Sequence, residues 1–261
     1  MSNSSLISEK TLTQKLLNLF IKNNLNLYII NKLSTKNFLL VFASGLSKPL
    51  IKCNKFISLN STILSSTQVD SDIIDSNYVV FIDEGYPSHP DSIKNGFHTK
   101  KELEFIKSYN RFFDFIEKKY STKVIIAKHP KSSINNQYFA GRKIFVNKTK
   151  SLILNSKFVI AHGSLINLFA VFHYKKMLLI YNTEMKSFPL NPYSHIQEFS
   201  KLLDLPLINI DNVNSFNKIN MLLNKSKYEL FIKNYISVHE VSNHKLIEEA
   251  IILEYKNSIS V

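Results

Sequence analysis

Residues 78–91, YVVFIDEGYPSHPD, decide how this chain is read. Five apolar residues in a row, rich in β-branched and aromatic types, show neither the alternation of a half-solvated strand nor the 3.6-residue period of a helix. A strand covered on both faces has no reason to alternate, and that is the environment of a parallel sheet. The run stops at Asp83-Glu84-Gly85, where two carboxylates and a turn-permitting glycine replace it. The same design recurs in TKVIIAKHPKSS (122–133), which breaks at His129-Pro130. It appears a third time in KFVIAHGSLINLFAVF (157–172), which turns at His162-Gly163-Ser164 into a helical pattern. An open α/β sheet collects its ligand outside the carboxyl ends of its strands, so the three polar endings are expected to share one cleft.

Helical spacing fills the intervals. A helix is predicted over about 100–119 with Leu103, Ile106, Phe112, Phe113 and Ile116 inward, and smaller helices over 149–155, 164–174 and 194–203. Further strands are read at KIFVN (143–147), MLLIYN (177–182) and LINID (207–211), and C-terminal helices near 214–235 and 239–256. Strands separated by helices at this interval imply right-handed crossovers and a doubly wound parallel sheet of the α/β class. Upstream, Leu12, Leu16, Leu17, Phe20 and Ile21 make residues 9–24 an amphipathic helix expected to pack on a sheet. NFLLVFASG (37–45) reads as a buried strand and KFISLNSTIL (55–64) as a weaker one. Polar sequence over 65–77 is the expected boundary, dividing a short N-terminal α/β segment (1–75) from a larger domain (76–261).

With 44% hydrophobic residues in 261, the chain has ample material for a packed core. Lys and Arg outnumber Asp and Glu by 33 to 20, giving a net charge of +13. That balance favours anionic partners: nucleotide phosphates, acidic glycans or anionic lipids. Cys53 is the only cysteine, which excludes an intrachain disulfide and a cysteine-only zinc site and fits a reducing cytoplasm. The N-terminal sequence lacks a signal-peptide pattern, and no apolar run reaches the ~18 residues of a membrane span. A cytoplasmic protein, in contact at most with the inner membrane surface, is expected.

Each polar ending has a chemical and a structural reading. Asp83-Glu84-Gly85 places a partly desolvated carboxylate where it would take a proton from a hydroxyl, and it is equally an ordinary strand-end turn. In Lys128-His129-Pro130 the proline holds the imidazole in extended geometry beside lysine charge, suiting it to contact a phosphate; His-Pro is also a common turn. Gly163-Ser164 before a helix combines free N–H groups, a helix dipole and a hydroxyl, an arrangement that binds phosphate, while serine is also a favoured helix cap. The sequence contains no GxGxxG, GxxxxGK[ST], GxSxG or HExxH, and its eight histidines show no metal-ligand spacing. No metal is expected. The 19 Phe and 12 Tyr follow core periodicity rather than interleaving with lysines, so nucleic acid is a poor fit.

Together the three endings resemble the motifs of bacterial sialyltransferases and related CMP-sugar-dependent glycosyltransferases of the GT-B type, which act in capsule and lipopolysaccharide synthesis. Those families carry a [DE]-[DE]-G motif, an HP motif and a serine motif opening a helix, here Asp83-Glu84-Gly85, His129-Pro130 and Ser164. The resemblance spans about residues 75–185. It implies a GT-B donor half and a metal-independent transferase with no cofactor beyond a CMP-sugar donor. Asp83 would be the general base toward a glycan acceptor. His129 would contact the departing phosphate, and Ser164 would hold it, with Glu84, Gly85, Lys128, Pro130 and Gly163 lining the donor site. Because only about 75 residues precede the acidic motif, the alternative implied is a non-catalytic nucleotide- or glycan-binding module or a partner subunit of a glycosyltransferase.

Overall fold

A computed structural model describes residues 38–46, 53–64, 77–86, 102–132, 137–188 and 192–237, together with positions 94 and 252. The chain divides into two compact units: Met1–Ser66 with Glu229–Val261, and Thr67–Tyr228. The first boundary lies between Ser66 and Thr67, and the residues from Glu229 onward group with the N-terminal ones. The expected helices at 9–24 and 239–256 lie outside the described residues, position 252 apart.

In the smaller unit β1 (Phe38–Ser44) and β2 (Cys53–Leu59) pair in parallel, Phe38 beside Cys53 and Ser44 beside Leu59. The end of the helix Lys225–Tyr235 and the residue after it tie onto them through backbone bonds. Leu46 N–H donates to the Lys233 carbonyl at 3.1 Å, and Ser61 N–H to that of Ile236 at 2.7 Å. The Ser44 hydroxyl donates to the Tyr235 carbonyl at 3.0 Å. These bonds are why the C-terminal residues join this unit.

The larger unit is built on six parallel strands: β3 (Tyr78–Ile82), β4 (Lys123–Lys128), β5 (Ile144–Val146), β6 (Val159–Ala161), β7 (Met177–Tyr181) and β8 (Leu207–Asn209). Their order across the sheet is β5-β4-β3-β6-β7-β8. Counted from β3, this is 3-2-1-4-5-6, the doubly wound order in which the winding reverses between the first and fourth strands. The α/β, doubly wound parallel sheet expected from the sequence is therefore the fold. Among the described residues, four helices accompany the strands, α1 (Glu102–Tyr120), α2 (Thr149–Asn155), α3 (Asn167–Phe172) and α4 (Pro192–Leu203), and a further one, α5 (Lys225–Tyr235), contains the boundary between the units after Tyr228.

Every residue of β3 is buried, which explains its unbroken apolar run. Tyr78 and Phe81, an odd number of residues apart, face opposite sides of the sheet. The Tyr78 hydroxyl donates to the Leu152 carbonyl of α2 at 3.0 Å, while the Phe81 ring lies 5.0 Å from Phe113 and 5.4 Å from Tyr109 of α1. The sheet thus carries helices on both faces. The inward stripe of α1 is Phe105, Tyr109, Phe112, Phe113 and Ile116, all buried. Leu103, expected inward, is 72% exposed: two residues before Phe105, it lies about 200° around the helix from the start of the buried stripe.

Candidate functional site at the switch point of the sheet

The winding reverses between β3 and β6, the point at which doubly wound sheets hold their ligands. The residues there are Asp83-Glu84-Gly85 from β3 and His162-Gly163-Ser164 from β6, with His129 from the adjacent β4. Gly85 adopts φ +74°, a left-handed conformation that glycine enters without strain. That turn lets its N–H donate back to Asp83 Oδ1 at 2.8 Å. Asp83 is 4% exposed, and burial raises its pKa; the Gly85 N–H, the Ser132 hydroxyl and the N–H and imidazole of His129 favour the carboxylate without cancelling that effect. Its second oxygen, Oδ2, has no hydrogen-bond partner. Asp83 and His129 are thus brought together.

His129 is half-buried and accepts a hydrogen bond from the Lys131 N–H at Nδ1, 3.2 Å away. With Nδ1 an acceptor, the neutral ring carries its proton on Nε2. The Ser132 N–H donates to the His129 carbonyl at 2.9 Å and closes the turn that His-Pro begins. Lys128 is half-buried at the end of β4, and Pro130 is exposed.

Glu84 turns the other way. Burial pushes its carboxyl up to about 8, against the N–H groups of Gly163 and Ser164, which favour its charge; the neighbouring Asp83 adds to the rise. The residue as a whole is only half-buried, yet its Oε1 is buried and unpartnered, so the part that titrates is the part withdrawn from water. The two amides expected to hold a ligand phosphate therefore face a carboxyl of the chain itself. The expected helix cap also differs. α3 starts at Asn167, its N-cap is Ile166 with no side-chain bond, and the Ser164 carbonyl accepts from the Asn167 N–H at 3.0 Å. The Asn167, Leu168 and Phe169 N–H groups donate to the Ser164, Leu165 and Ile166 carbonyls, so a 3₁₀-type turn joins Ser164 to α3.

Behind this edge lies a cluster of buried polar side chains that the sequence does not single out. His162 is fully buried, its Nε2 3.1 Å from the Tyr109 hydroxyl and its Nδ1 without a partner. Burial takes it down to about 3, so the ring is neutral. The rings of Phe81, Tyr86 and Tyr109 surround it at 5.6, 5.7 and 5.9 Å. Asn167, also buried, donates to the His162 carbonyl at 3.1 Å and leaves its Oδ1 unpartnered. At the ends of β7 and β8, Asp211 accepts from the Asn182 amide at 3.0 Å and the Thr183 N–H at 2.7 Å. Asn182 closes an apolar run as Asp83 does and was legible by the same rule. Tyr109, in mid-helix, carries no local signal.

Among the described residues, no group of three or more His, Cys, Asp or Glu is arranged to hold a metal, and no helix is long and apolar enough to cross a membrane.

No family model and no curated protein matches this sequence. Among solved structures, a UDP-GlcNAc 2-epimerase of Methanocaldococcus jannaschii in complex with UDP-GlcNAc and UDP aligns over 69% of this chain and 54% of its own, with 12% identity and a TM-score of 0.39. A second structure of that epimerase aligns over 68% and 55%, with 15% identity and the same TM-score. The glycotransferase of kitacinnamycin aligns over 69% and 43%, with 10% identity and a TM-score of 0.39. The chain spans about half the length of these proteins. Likenesses of this strength leave the chemistry of the site to the site itself.

Proposed function

We propose that this chain is a metal-independent glycosyltransferase that moves a sialic acid or related sugar acid from a CMP-sugar to a surface glycan of capsule or lipopolysaccharide. The observation that supports it best is the meeting of Asp83 and His129 at one strand edge beside the switch point. Asp83 has one oxygen fixed by Gly85 and another with no donor, the arrangement of an oriented base. In the proposed reaction the acceptor hydroxyl gives its proton to Asp83 as its oxygen bonds to the anomeric carbon. The bond from that carbon to the CMP phosphate breaks, and the His129 Nε2–H donates to the phosphate oxygen that takes the electron pair. Lys128 and the excess of lysine add positive potential, which also favours residence beside acidic lipids or glycans at the inner membrane face.

Incubation with CMP-sialic acid and oligosaccharide acceptors tests this. Asp83→Asn keeps the oxygen that Gly85 needs and removes the base, so turnover is expected to fall by about 10²–10⁴-fold, as for other general bases. His129→Ala is expected to slow transfer as well. Equal turnover by the wild type and both variants would remove the assigned roles.

One observation favours a second reading, a nucleotide- or glycan-binding module without turnover: the Asp83 carboxyl is 4% exposed and half committed to its own turn. CMP binding measured by calorimetry, with neither hydrolysis nor transfer of CMP-sialic acid, would select that reading.

A further inference from the structure

Beside the turn after β6 stands a pair of tyrosines that belongs to none of the three strand-end motifs. Ala161 of β6 pairs with Leu179 of β7, and two residues further on come Gly163 and Tyr181, at the carboxyl edge where doubly wound sheets hold their ligands. Tyr181 is the last residue of β7 and the one residue of that strand that is not buried. Tyr193 lies in the first turn of α4 and is half-buried as well. Its ring centre is 4.5 Å from that of Tyr181, with the two planes at 56°. The next turn of α4 carries Ile196, which is 1% exposed, and a Cβ on Gly163 would lie 3.5 Å from its Cγ1. The start of α4 is thus packed against the turn after β6, and the tyrosine pair borders the exposed Gly163.

The Gln197 amide donates to the Tyr193 hydroxyl at 3.2 Å and fixes that ring. Lys186, exposed at the end of the 3₁₀ turn Thr183–Lys186, holds its ammonium 5.1 Å from the Tyr181 ring centre and 4.6 Å from that of Tyr193. At an exposed site such a cation–π contact is weak, whereas a base stacked on an aromatic side chain is held more strongly. A ring enclosed on both faces serves the core. Two half-buried rings at a ligand edge, covered by one cation on a flexible stem, can offer a face to a flat ligand.

We propose that Tyr181, Tyr193 and Lys186 form the subsite for the nucleobase of the nucleotide ligand. The base stacks on the tyrosine pair in place of the ammonium, and Lys186 turns its N–H groups to the acceptors on the edge of the base. The inference rests on the nucleotide-sugar reading above and adds the part of the ligand that the three strand-end motifs leave unassigned. A phosphate has no face to stack and would meet phenol rings rather than amides. A pyrimidine has an aromatic face for the rings and, in cytosine, the adjacent acceptors O2 and N3 for a side chain that can only donate.

Calorimetry with CMP and with ribose 5-phosphate, which lacks the base, tests this. Tyr181→Leu and Tyr193→Leu keep apolar bulk and remove the π face, so each is expected to weaken CMP about tenfold and to leave the affinity for ribose 5-phosphate unchanged. Tyr181→Phe and Tyr193→Phe keep the face and are expected to keep CMP binding. The chain has no tryptophan, so Tyr193→Trp places a single indole in the platform. CMP is expected to quench its emission and ribose 5-phosphate to leave it unaltered. CMP affinity equal to that of the wild type in both Tyr181→Leu and Tyr193→Leu overturns the inference and leaves the nucleotide reading standing. Equal losses for CMP and ribose 5-phosphate would make the pair a prop of the fold and overturn it too, as would an indole emission that saturating CMP does not change. If the wild type fails to bind CMP at millimolar concentration, the nucleotide reading falls and this inference with it.

Discussion

Stability against pH separates Glu84 and His162 at the switch point, because they pull in opposite directions. Burial takes His162 from 6.5 down to about 3. Between those values the unfolded chain binds a proton that the folded chain refuses. The contribution of His162 to stability is therefore complete above about pH 6.5 and is lost as the pH falls toward 3. Glu84, pushed from 4.5 up to about 8 by burial, keeps in the folded state a proton that the unfolded chain gives up. Its contribution is complete below about pH 4.5 and is lost as the pH rises through 8. Each limb slopes by about 1.4 kcal/mol per pH unit and spans about 5 kcal/mol, a large share of a domain's stability.

The two slopes cancel between about pH 4.5 and 6.5, so stability is expected to be flat there and to fall on both sides. Asp83, raised by burial, contributes stability that is complete below about pH 3.8 and is lost as the pH rises from there. Asp211 adds to the acid limb: burial opposes its charge, but bonds from the Thr183 N–H and the Ser108, Thr183 and Asn182 side chains outweigh that and lower it. Urea midpoints followed by circular dichroism from pH 3.5 to 9, at constant ionic strength, trace the curve. Glu84→Gln should flatten most of the alkaline limb and leave the acid limb intact, and His162→Asn should do the reverse. Stability climbing steadily to pH 8 in the wild type, or an alkaline limb unchanged in Glu84→Gln, would refute the reasoning that burial governs these groups.

Other outcomes follow from single contacts. The Arg142 guanidinium donates to both Glu117 oxygens at 3.1 and 2.7 Å, to Asp114, and to the Asn110 side chain and the Phe139 carbonyl at 3.1 and 3.3 Å. A lysine cannot reproduce that fork, so Arg142→Lys is expected to cost about 2 kcal/mol in a urea titration, with little of it from the largely exposed Asp114; a change below about 0.5 kcal/mol would contradict this. Gly45 and Gly141 share a left-handed φ, +73° and +76°, but a Cβ on Gly45 would lie 2.1 Å from the Asn234 carbonyl oxygen while one on Gly141 meets nothing within 4 Å. Gly141→Ala should therefore cost about 1 kcal/mol of strain and Gly45→Ala clearly more, and equal thermal shifts would show that the close approach does not matter. Tyr109→Phe removes the one hydrogen-bond partner of the buried His162 ring and is expected to destabilise by roughly 1–3 kcal/mol, read from the same titration.

The strands were legible because burial on both faces erases periodicity, and an apolar run such as Tyr78–Ile82 or Met177–Tyr181 then announces itself. α2, expected over 149–155, occupies Thr149–Asn155. The start of α3 was not legible, since Gly-Ser before an apolar helix reads as a cap whether or not a turn intervenes. Leu103 misled for another reason: it is apolar but lies off the stripe that Phe105, Tyr109, Phe112, Phe113 and Ile116 form, so its residue type suggested a burial that its angular position does not give. In Asp83-Glu84-Gly85 the letters supplied the carboxylates. Which way each turns depends on Gly85 for Asp83 and on Gly163 and Ser164, some eighty residues away, for Glu84.

Strand order is the one fact that sorts these signals, and no local pattern contains it. β3 lies between β4, which follows it in sequence, and β6, which returns after two further strands. That return makes the ends of β3 and β6 the walls of one crevice, while Asn209, at the far edge on β8, does not border it, although β8 also ends in polar residues. The strand ends at the reversal belong to strands whose crossovers lead to opposite halves of the sheet, which is where such folds place their ligands. The nearness of Asp83-Glu84-Gly85 to His162-Gly163-Ser164 is thus a consequence of topology. Had β6 added at an outer edge of the sheet, the same residues would have formed separate strand-end turns.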